Sequence, residues 1–224
     1  MAAGRQDETP EPAEPKRGRP RGFDETEALL RALELFWERG FEGTSVTELT
    51  HAMRISPPSL YATYGSKEEL FRKAVAHYND PERSPTALAL RNAPTARQAV
   101  ESLLRNNARA YTSGDTPRGC LLVTAAITYT PNSAVVRDLL AGLRDQDQRH
   151  LRERFDRAVA EGDLPGSADT ATLAAFVMTV LHGLSIQARD GASFETLDAV
   201  ADVTMLAWDH AVQQAERAGG THEG

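Results

Sequence analysis

A short run of small and polar side chains in the N-terminal third of the chain has the spacing needed to recognise a nucleic-acid duplex. Ser56 and Pro57 read as an N-cap and a proline at the first helical position, where proline loses no hydrogen bond. Leu60 and Tyr64 are four residues apart, which would pin one face of a short helix to a core. A base-reading helix must be short, braced and exposed along its other side. The spacing therefore predicts a helix-turn-helix whose second helix covers 57–64.

The helices that must position this element carry capping signals at their starts. Ser45 and Ser66 each precede a glutamate by three residues, which is the spacing of a capping box, and Asp24 approximates the same pattern. Three helix starts are thus marked within about fifty residues. The pattern predicts a three-helix DNA-binding domain over 23–71.

The run SPPSLYATYGSKEELF resembles the recognition-helix segment of the TetR family of bacterial transcriptional regulators. The positions that match the family pattern directly are Ser56, Leu60, Tyr61, Lys67 and Leu70. Thr63 and Tyr64 stand where the family usually has His and Phe. The upstream run ALELFWERGFEGTSVTELTHAM is similar to the family's first two helices. Arg54 departs from the family, which often has a turn glycine there; a positive φ at this residue would cost arginine about 1 kcal/mol.

The resemblance implies that Tyr61 contacts a DNA phosphate. Lys67 follows the N-cap Ser66, so its ammonium and the neighbouring N–H groups would converge on a phosphate. Thr44 and Ser45, at the start of the preceding helix, are candidates of the same kind. The structural alternatives are a half-buried packing tyrosine and a solvated lysine.

The outward side of the reading helix supplies the candidates for base contacts, namely Pro57, Ser59, Ala62 and Thr63. None is an Arg, Asn or Gln that could hold a purine through two hydrogen bonds. We therefore expect modest discrimination per base pair, with DNA shape contributing much of the specificity. The complete predicted contact set in this domain is Thr44, Ser45, Arg54, Ser56, Pro57, Ser59, Tyr61, Ala62, Thr63 and Lys67.

A basic arm precedes this domain, with four positive charges within residues 16–21. Its centre, Arg17-Gly18-Arg19-Pro20, resembles an AT-hook, and Arg17, Arg19 and Arg21 are expected to enter the minor groove of A·T-rich DNA, where negative potential is concentrated. A solvated basic tail without a role is the alternative. Residues 1–22 as a whole are expected to be disordered, because the first fifteen are rich in Pro, Ala and Glu.

Composition narrows the class of protein. The net charge of −7 over 224 residues argues against indiscriminate coating of DNA. A single cysteine, no signal peptide and no stretch of about 20 apolar residues predict a cytoplasmic protein without membrane contact. The chain lacks a recognisable nucleophile–base, zinc or phosphate-loop motif, so we expect no enzyme activity, no cofactor and no metal.

The remainder of the chain reads as helices, and the predicted fold class is all-α. Helices are predicted over 96–111, 117–128, 133–161, 170–189 and 194–215. The last two are apolar on more than one face, so they need a second surface, which a two-fold homodimer would supply as a four-helix bundle. Burial of this pair inside one monomer is the alternative. The predicted organisation is an effector-binding and dimerisation domain over 72–217 and a disordered tail over 218–224.

The resemblance further implies a repressor that binds a palindromic operator as a dimer and is released by a small molecule. Candidate lining residues for the effector pocket are Tyr111, Cys120, Thr124, Phe155, Phe176, Met178, His182 and Trp208, although core packing would explain each of them as well. Two other functions stay open at this point. One is an architectural DNA-binding protein without ligand control, and the other is a redox or electrophile sensor that uses Cys120.

Overall fold

The computed structural model describes residues 23–114, 119–126 and 129–220, and within these ranges the regular structure is entirely helical. The helices are α1 (Glu25–Arg39), α2 (Val46–Met53), α3 (Pro57–Tyr64), α4 (Lys67–Tyr78), α5 (Pro85–Asn92), α6 (Ala96–Thr112), α7 (Leu121–Thr124), α8 (Ala134–Ala160), α9 (Thr170–Arg189) and α10 (Phe194–Gly220). A short 3₁₀ turn, Pro131–Ser133, precedes α8. The all-α prediction is confirmed.

Helices α1 to α4 form the N-terminal unit around a core of fully buried side chains, including Phe36, Leu49, Leu60 and Phe71. The predicted caps are present. The Asp24 carboxylate accepts from the amides of the first turn of α1, and the Ser45 and Ser66 hydroxyls accept from the third amides of α2 and α4. Ser45 completes a reciprocal capping box with Glu48.

The N-terminal unit shares its core with elements that follow much later in the chain. Leu121 and Leu122 of α7 and Val136 and Leu140 of α8 are buried in the same apolar cluster as α1 to α4. The boundary predicted between residues 71 and 72 falls inside α4, which continues to Tyr78. Helices α1 to α4 therefore rest on apolar side chains of α7 and of the start of α8.

The C-terminal unit is centred on α6, which packs against α5, α8, α9 and α10. By length and composition α9 could cross a membrane, but its buried side chains, such as Val177 and Leu181, belong to this core. Phe155 of α8 and Trp208 of α10 meet there with ring centroids 4.9 Å apart, and both are buried. Their packing explains why these two helices are held across the same core.

The outer side of α9 and α10 is apolar and uncovered in the single chain. Val203 and Leu206 are 66% and 70% exposed, and Phe176, Ile186 and Val200 are exposed beside them. Side chains of this size in one patch mark an interaction surface.

Two helix predictions were wrong in their extent. The helix expected over 117–128 is only the single turn α7 within the described residues, because Gly119 and Cys120 before it and Ala125 after it are not helical. The last helix extends to Gly220, so residues 218–220 of the predicted tail are helical, and 221–224 lie outside the described residues.

Candidate nucleic-acid interface and central cavity

The reading helix α3 is braced on one side and free on the other. Leu60 is fully buried and Tyr64 nearly so, which confirms the predicted anchoring face. The Tyr64 hydroxyl donates to the backbone carbonyl of Glu25 at 3.2 Å, and this bond fixes the end of α3 against the start of α1. Tyr61, on the outer side, is 51% exposed. A short helix held in this way can enter a groove without bending.

The turn between α2 and α3 requires a left-handed residue, and Arg54 occupies that position with φ 58° and ψ 42°. The Ile55 amide donates to the Thr50 carbonyl at 3.0 Å, which is the six-to-one bond of a Schellman motif. Arginine therefore adopts the conformation for which glycine is usual, at a cost of about 1 kcal/mol. Its side chain is exposed beside the reading helix.

The predicted contact residues differ in their exposure. The exposed ones are Ser45, Arg54, Ser56, Pro57, Tyr61 and Ala62, and the half-buried ones are Ser59, Thr63 and Lys67. The Ser59 hydroxyl is engaged with the hydroxyl of Ser56 at 2.9 Å, so reading a base would require it to exchange that partner. The predicted arm residues Arg17, Arg19 and Arg21 lie outside the described residues.

The prediction that Thr44 contacts a phosphate is wrong. Its side chain is 1% exposed and donates to the Gly40 carbonyl at 2.8 Å, so its hydroxyl holds the loop after α1 and is not available to a phosphate. Lys67 is also more constrained than expected, because its ammonium lies 4.2 Å from the centroid of the Phe41 ring. Burial lowers the pKa of Lys67, and nearby Glu42 opposes that effect.

A cavity of about 180 Å³ lies beneath the N-terminal unit, where α1, α4 to α9 and their connections converge. It is lined by Trp37, Tyr78, Asn79, Arg83, Ser84, Pro85, Thr86, Asn107, Ala110, Tyr111, Cys120, Leu122, Val123, Arg144, Asp147, Met178, Leu181 and His182. Aromatic and apolar walls with a few converging polar groups are typical of small-molecule sites.

Burial controls the titration of the groups that face this cavity. It raises the pKa of the Asp147 carboxyl to about 6, against the opposing charge of His150. It raises the pKa values of the Tyr78 and Tyr111 hydroxyls and of the Cys120 thiol. It lowers the pKa of His182, and the Arg144 guanidinium adds to that shift.

Four of the predicted pocket residues line the cavity and four do not. Tyr111, Cys120, Met178 and His182 are in its wall. The prediction was wrong for Phe155 and Trp208, which form the core contact between α8 and α10. It was also wrong for Thr124 and Phe176. The Thr124 hydroxyl donates to the Cys120 carbonyl at 2.9 Å, and Phe176 is exposed on the outer side of α9.

The cavity residues that were missed, such as Trp37, Arg144 and Asp147, come from helices far apart in the sequence. A polar residue on the charged face of α8 carries no local signal that it faces a cavity. Only Trp37 offered a signal in the sequence that it could line a cavity, because a large aromatic residue is unusual at the end of the first helix.

Trp37 also connects the cavity to the N-terminal helices α1 to α4, the reading unit. Its indole N–H donates to the Gly119 carbonyl at 3.0 Å, just before Cys120. Its own carbonyl accepts from the Arg189 guanidinium at 2.7 Å, at the end of α9. Next to it, the Phe41 amide donates to the Ala125 carbonyl at 2.9 Å. A change in the cavity wall therefore has a direct route to the end of α1.

Comparison with known proteins agrees with this division of the chain. A sequence model described as bacterial regulatory proteins, tetR family, matches residues 28–74, and a model of the tetracyclin repressor-like C-terminal domain matches residues 96–203. The chain belongs to the TetR family. It is therefore a member of a family of transcriptional regulators, and the resemblance inferred from the sequence is confirmed.

Individual TetR-family relatives align over most of this chain. A cysteine mutant of the regulator CifR, solved with a 26-bp double-strand operator DNA, is 49% identical and has a TM-score of 0.82; the alignment covers 85% of this chain and 100% of that one. The transcriptional repressor ComR of Escherichia coli is 34% identical over 201 residues, which are 88% of this chain and 94% of ComR. The repressor BdcR, also of Escherichia coli, is 33% identical over 184 residues, covering 82% and 88%.

Proposed function

We propose that this TetR-family member is a cytoplasmic repressor, associated with the nucleoid when bound, that recognises a palindromic operator as a homodimer and is released by a small molecule held in the central cavity. The observation that carries the DNA-binding part is the braced helix α3, with Leu60 and Tyr64 buried and Tyr61 exposed. Relatives with 34% and 33% identity are named as transcriptional repressors, and CifR was solved on operator DNA.

The uncovered patch on α9 and α10 supports dimerisation. Its exposed apolar side chains, Val203 and Leu206 among them, would be covered by the same patch on a second copy. Two reading helices related by a two-fold axis require half-sites separated by about one helical turn or a multiple of it. The dimer thus predicts the symmetry of the operator.

The central cavity supports control by a ligand. It borders Trp37 of α1 and Tyr78 at the end of α4, and both helices belong to the reading unit. A ligand with different affinity for the DNA-bound and released arrangements would shift the protein between them. The structure favours the thiol-sensor alternative less, because burial raises the pKa of Cys120 and so lowers its thiolate fraction.

Selection of bound duplexes from a random pool tests this proposal. We expect an enriched palindrome whose affinity exceeds that for random DNA by about 10³-fold or more. Lys67→Ala should reduce affinity for all sequences and flatten the salt dependence by about one unit, whereas Thr63→Ala should change the selected bases. An architectural protein would instead bind random DNA nearly as well as the selected site, and that result would refute the proposal.

A further inference from the structure

The phenols of Tyr78 and Tyr111 line the central cavity together with the Cys120 thiol. The Tyr78 hydroxyl accepts from the Leu121 amide at 3.4 Å, which leaves its own proton directed elsewhere. A thiol sulfur is a weak acceptor, so a ligand oxygen would be a better partner for these phenol protons.

The cavity wall carries charges of both signs, from Arg83, Arg144 and Asp147. Arg144 and Asp147 both face the cavity from α8, yet among the described residues they form no ion pair with each other. The Arg144 guanidinium donates to the Leu122 carbonyl, and Arg83 is paired with Asp80 at 3.1 Å. An anionic ligand would be attracted by Arg144 but repelled by the Asp147 carboxylate, and a cationic ligand would meet the reverse. The attraction and the repulsion largely cancel, whereas the cost of removing the ligand charge from water remains.

The size of the cavity sets a further limit. Its volume of about 180 Å³ is slightly larger than the cavities of about 150 Å³ that accept benzene. The cavity wall also includes the apolar side chains of Trp37, Met178 and Leu181, and the Trp37 ring packs edge-on against the Tyr78 ring. These side chains favour an apolar body over a polar one.

We propose that the cavity binds a small uncharged molecule with an apolar body and one oxygen that accepts hydrogen bonds from Tyr78 and Tyr111. The inference rests on the effector role proposed above and names the chemical class of the effector. The oxygen lies beside the two phenol hydroxyls, and the apolar body packs on the side chains of Met178 and Leu181. Carboxylates and amines of the same size should bind more weakly, because each would meet a like charge, from Asp147 or Arg144 respectively.

Four matched probes separate these properties: acetophenone, ethylbenzene, benzoate and benzylamine, with about eight or nine non-hydrogen atoms each. Binding is measured on the full chain by titration of its carbon-13 methionine methyl groups. Met178 is in the cavity wall and reports binding there, whereas Met53 and Met205 lie in the two cores and serve as internal controls. We expect the Met178 signal to respond to acetophenone at the lowest concentration, with benzoate and benzylamine weaker by about ten-fold or more.

Removal of one phenol hydroxyl tests the role of the tyrosines. Tyr111→Phe should weaken the binding of acetophenone by about five-fold and leave the binding of ethylbenzene unchanged, because only the acetophenone oxygen loses a hydrogen-bond partner. Tyr78→Phe provides a second measurement of the same effect should Tyr111→Phe fold poorly. Tyr129→Phe, at an exposed tyrosine that does not line the cavity, is the matched control and should change the binding of neither probe.

Each outcome bears on one proposal or the other. Tighter binding of benzoate or benzylamine, equal binding of acetophenone and ethylbenzene, or no binding of any probe up to about 10 mM would overturn the ligand class. Operator binding is measured separately. If acetophenone occupies the cavity and operator affinity is unchanged, the ligand class stands and the proposed release mechanism fails.

Discussion

The Arg189 guanidinium donates to the Trp37 carbonyl at 2.7 Å and to the adjacent Glu38 carbonyl, so the last turn of α9 caps the last turn of α1. The carbonyls of the last turn of a helix generally lack intrahelical partners, and a cation at a helix C-terminus is favoured by the helix dipole. One residue therefore joins a helix of the proposed dimer interface to the first helix of the reading unit.

Replacing this arginine should destabilise the junction. We expect Arg189→Met to lower the free energy of unfolding by about 1–3 kcal/mol, because two charge-assisted hydrogen bonds are lost. Urea denaturation measures the change. Arg149→Met is the control, since its exposed pair with Asp145 on α8 should contribute at most about 0.5 kcal/mol. Equal losses of unfolding free energy in both variants would show that the capping hydrogen bonds contribute no more than an exposed ion pair does.

The apolar patch on α9 and α10 predicts a variant that separates the dimer. Leu206→Glu should convert the dimer to monomers in sedimentation and reduce operator affinity at least about ten-fold, because a charge would be buried at the interface. The helical circular dichroism should be unchanged, since Leu206 is 70% exposed in the single chain. Val135→Glu, at an exposed valine near the start of α8, should leave the dimer intact. A dimeric Leu206→Glu protein would place the interface elsewhere.

Arg54 allows conformational strain to be separated from DNA contact. Arg54→Gly should raise the free energy of unfolding by at most about 1 kcal/mol, because glycine tolerates φ 58° but also gains freedom in the unfolded chain. If the guanidinium contacts a phosphate, operator affinity should fall and the salt dependence should become shallower by about one unit. Arg54→Lys keeps both the strain and the charge, and we expect it to bind nearly as the original chain does. An operator affinity unchanged in Arg54→Gly would remove Arg54 from the contact set.

Asp147 predicts a pH dependence of stability. Its pKa of about 6 in the folded state lies above the usual 3.8, so the folded chain binds the proton more tightly. The associated stability is complete below about pH 3.8 and is lost as the pH rises through about 6. Asp147→Asn should abolish this loss and be more stable than the original chain at about pH 7 by about 1–3 kcal/mol.

Urea denaturation at several pH values measures the effect of Asp147. Asp145→Asn, two residues away and exposed, is the control and should leave the pH profile nearly unchanged. A profile for Asp147→Asn that parallels the original chain would show that the carboxyl is solvated in the folded protein.

Local signals in the sequence were sufficient for the reading unit. The caps at Asp24, Ser45 and Ser66 and the buried pair Leu60 and Tyr64 depend on residues within one or two turns, and all are present. The bounds of α9 were predicted correctly for the same reason, since its apolar run is continuous between polar ends.

Features that depend on contacts between distant elements were not accessible in this way. The 1% exposure of Thr44 was not evident from its position before a helix start, although its hydrogen bond to the Gly40 carbonyl is local. The segment around α7 has apolar residues at helical spacing, yet Gly119 has a φ of 64°, and a side chain there would lie 2.3 Å from the Ser185 carbonyl oxygen. The cavity is similarly lined by residues from seven helices, so no single stretch of sequence predicts it.

The shared core of α1 to α4 with α7 and α8 affects how this protein can be re-engineered. A chimera that grafts only residues 23–78 onto a foreign regulator would leave the apolar surface that Leu121 and Leu140 normally cover without its native lining. Transplanting new operator specificity should therefore carry α7 and the first turns of α8 along with the reading helices. The natural unit of exchange is discontinuous in sequence, although it is contiguous in space.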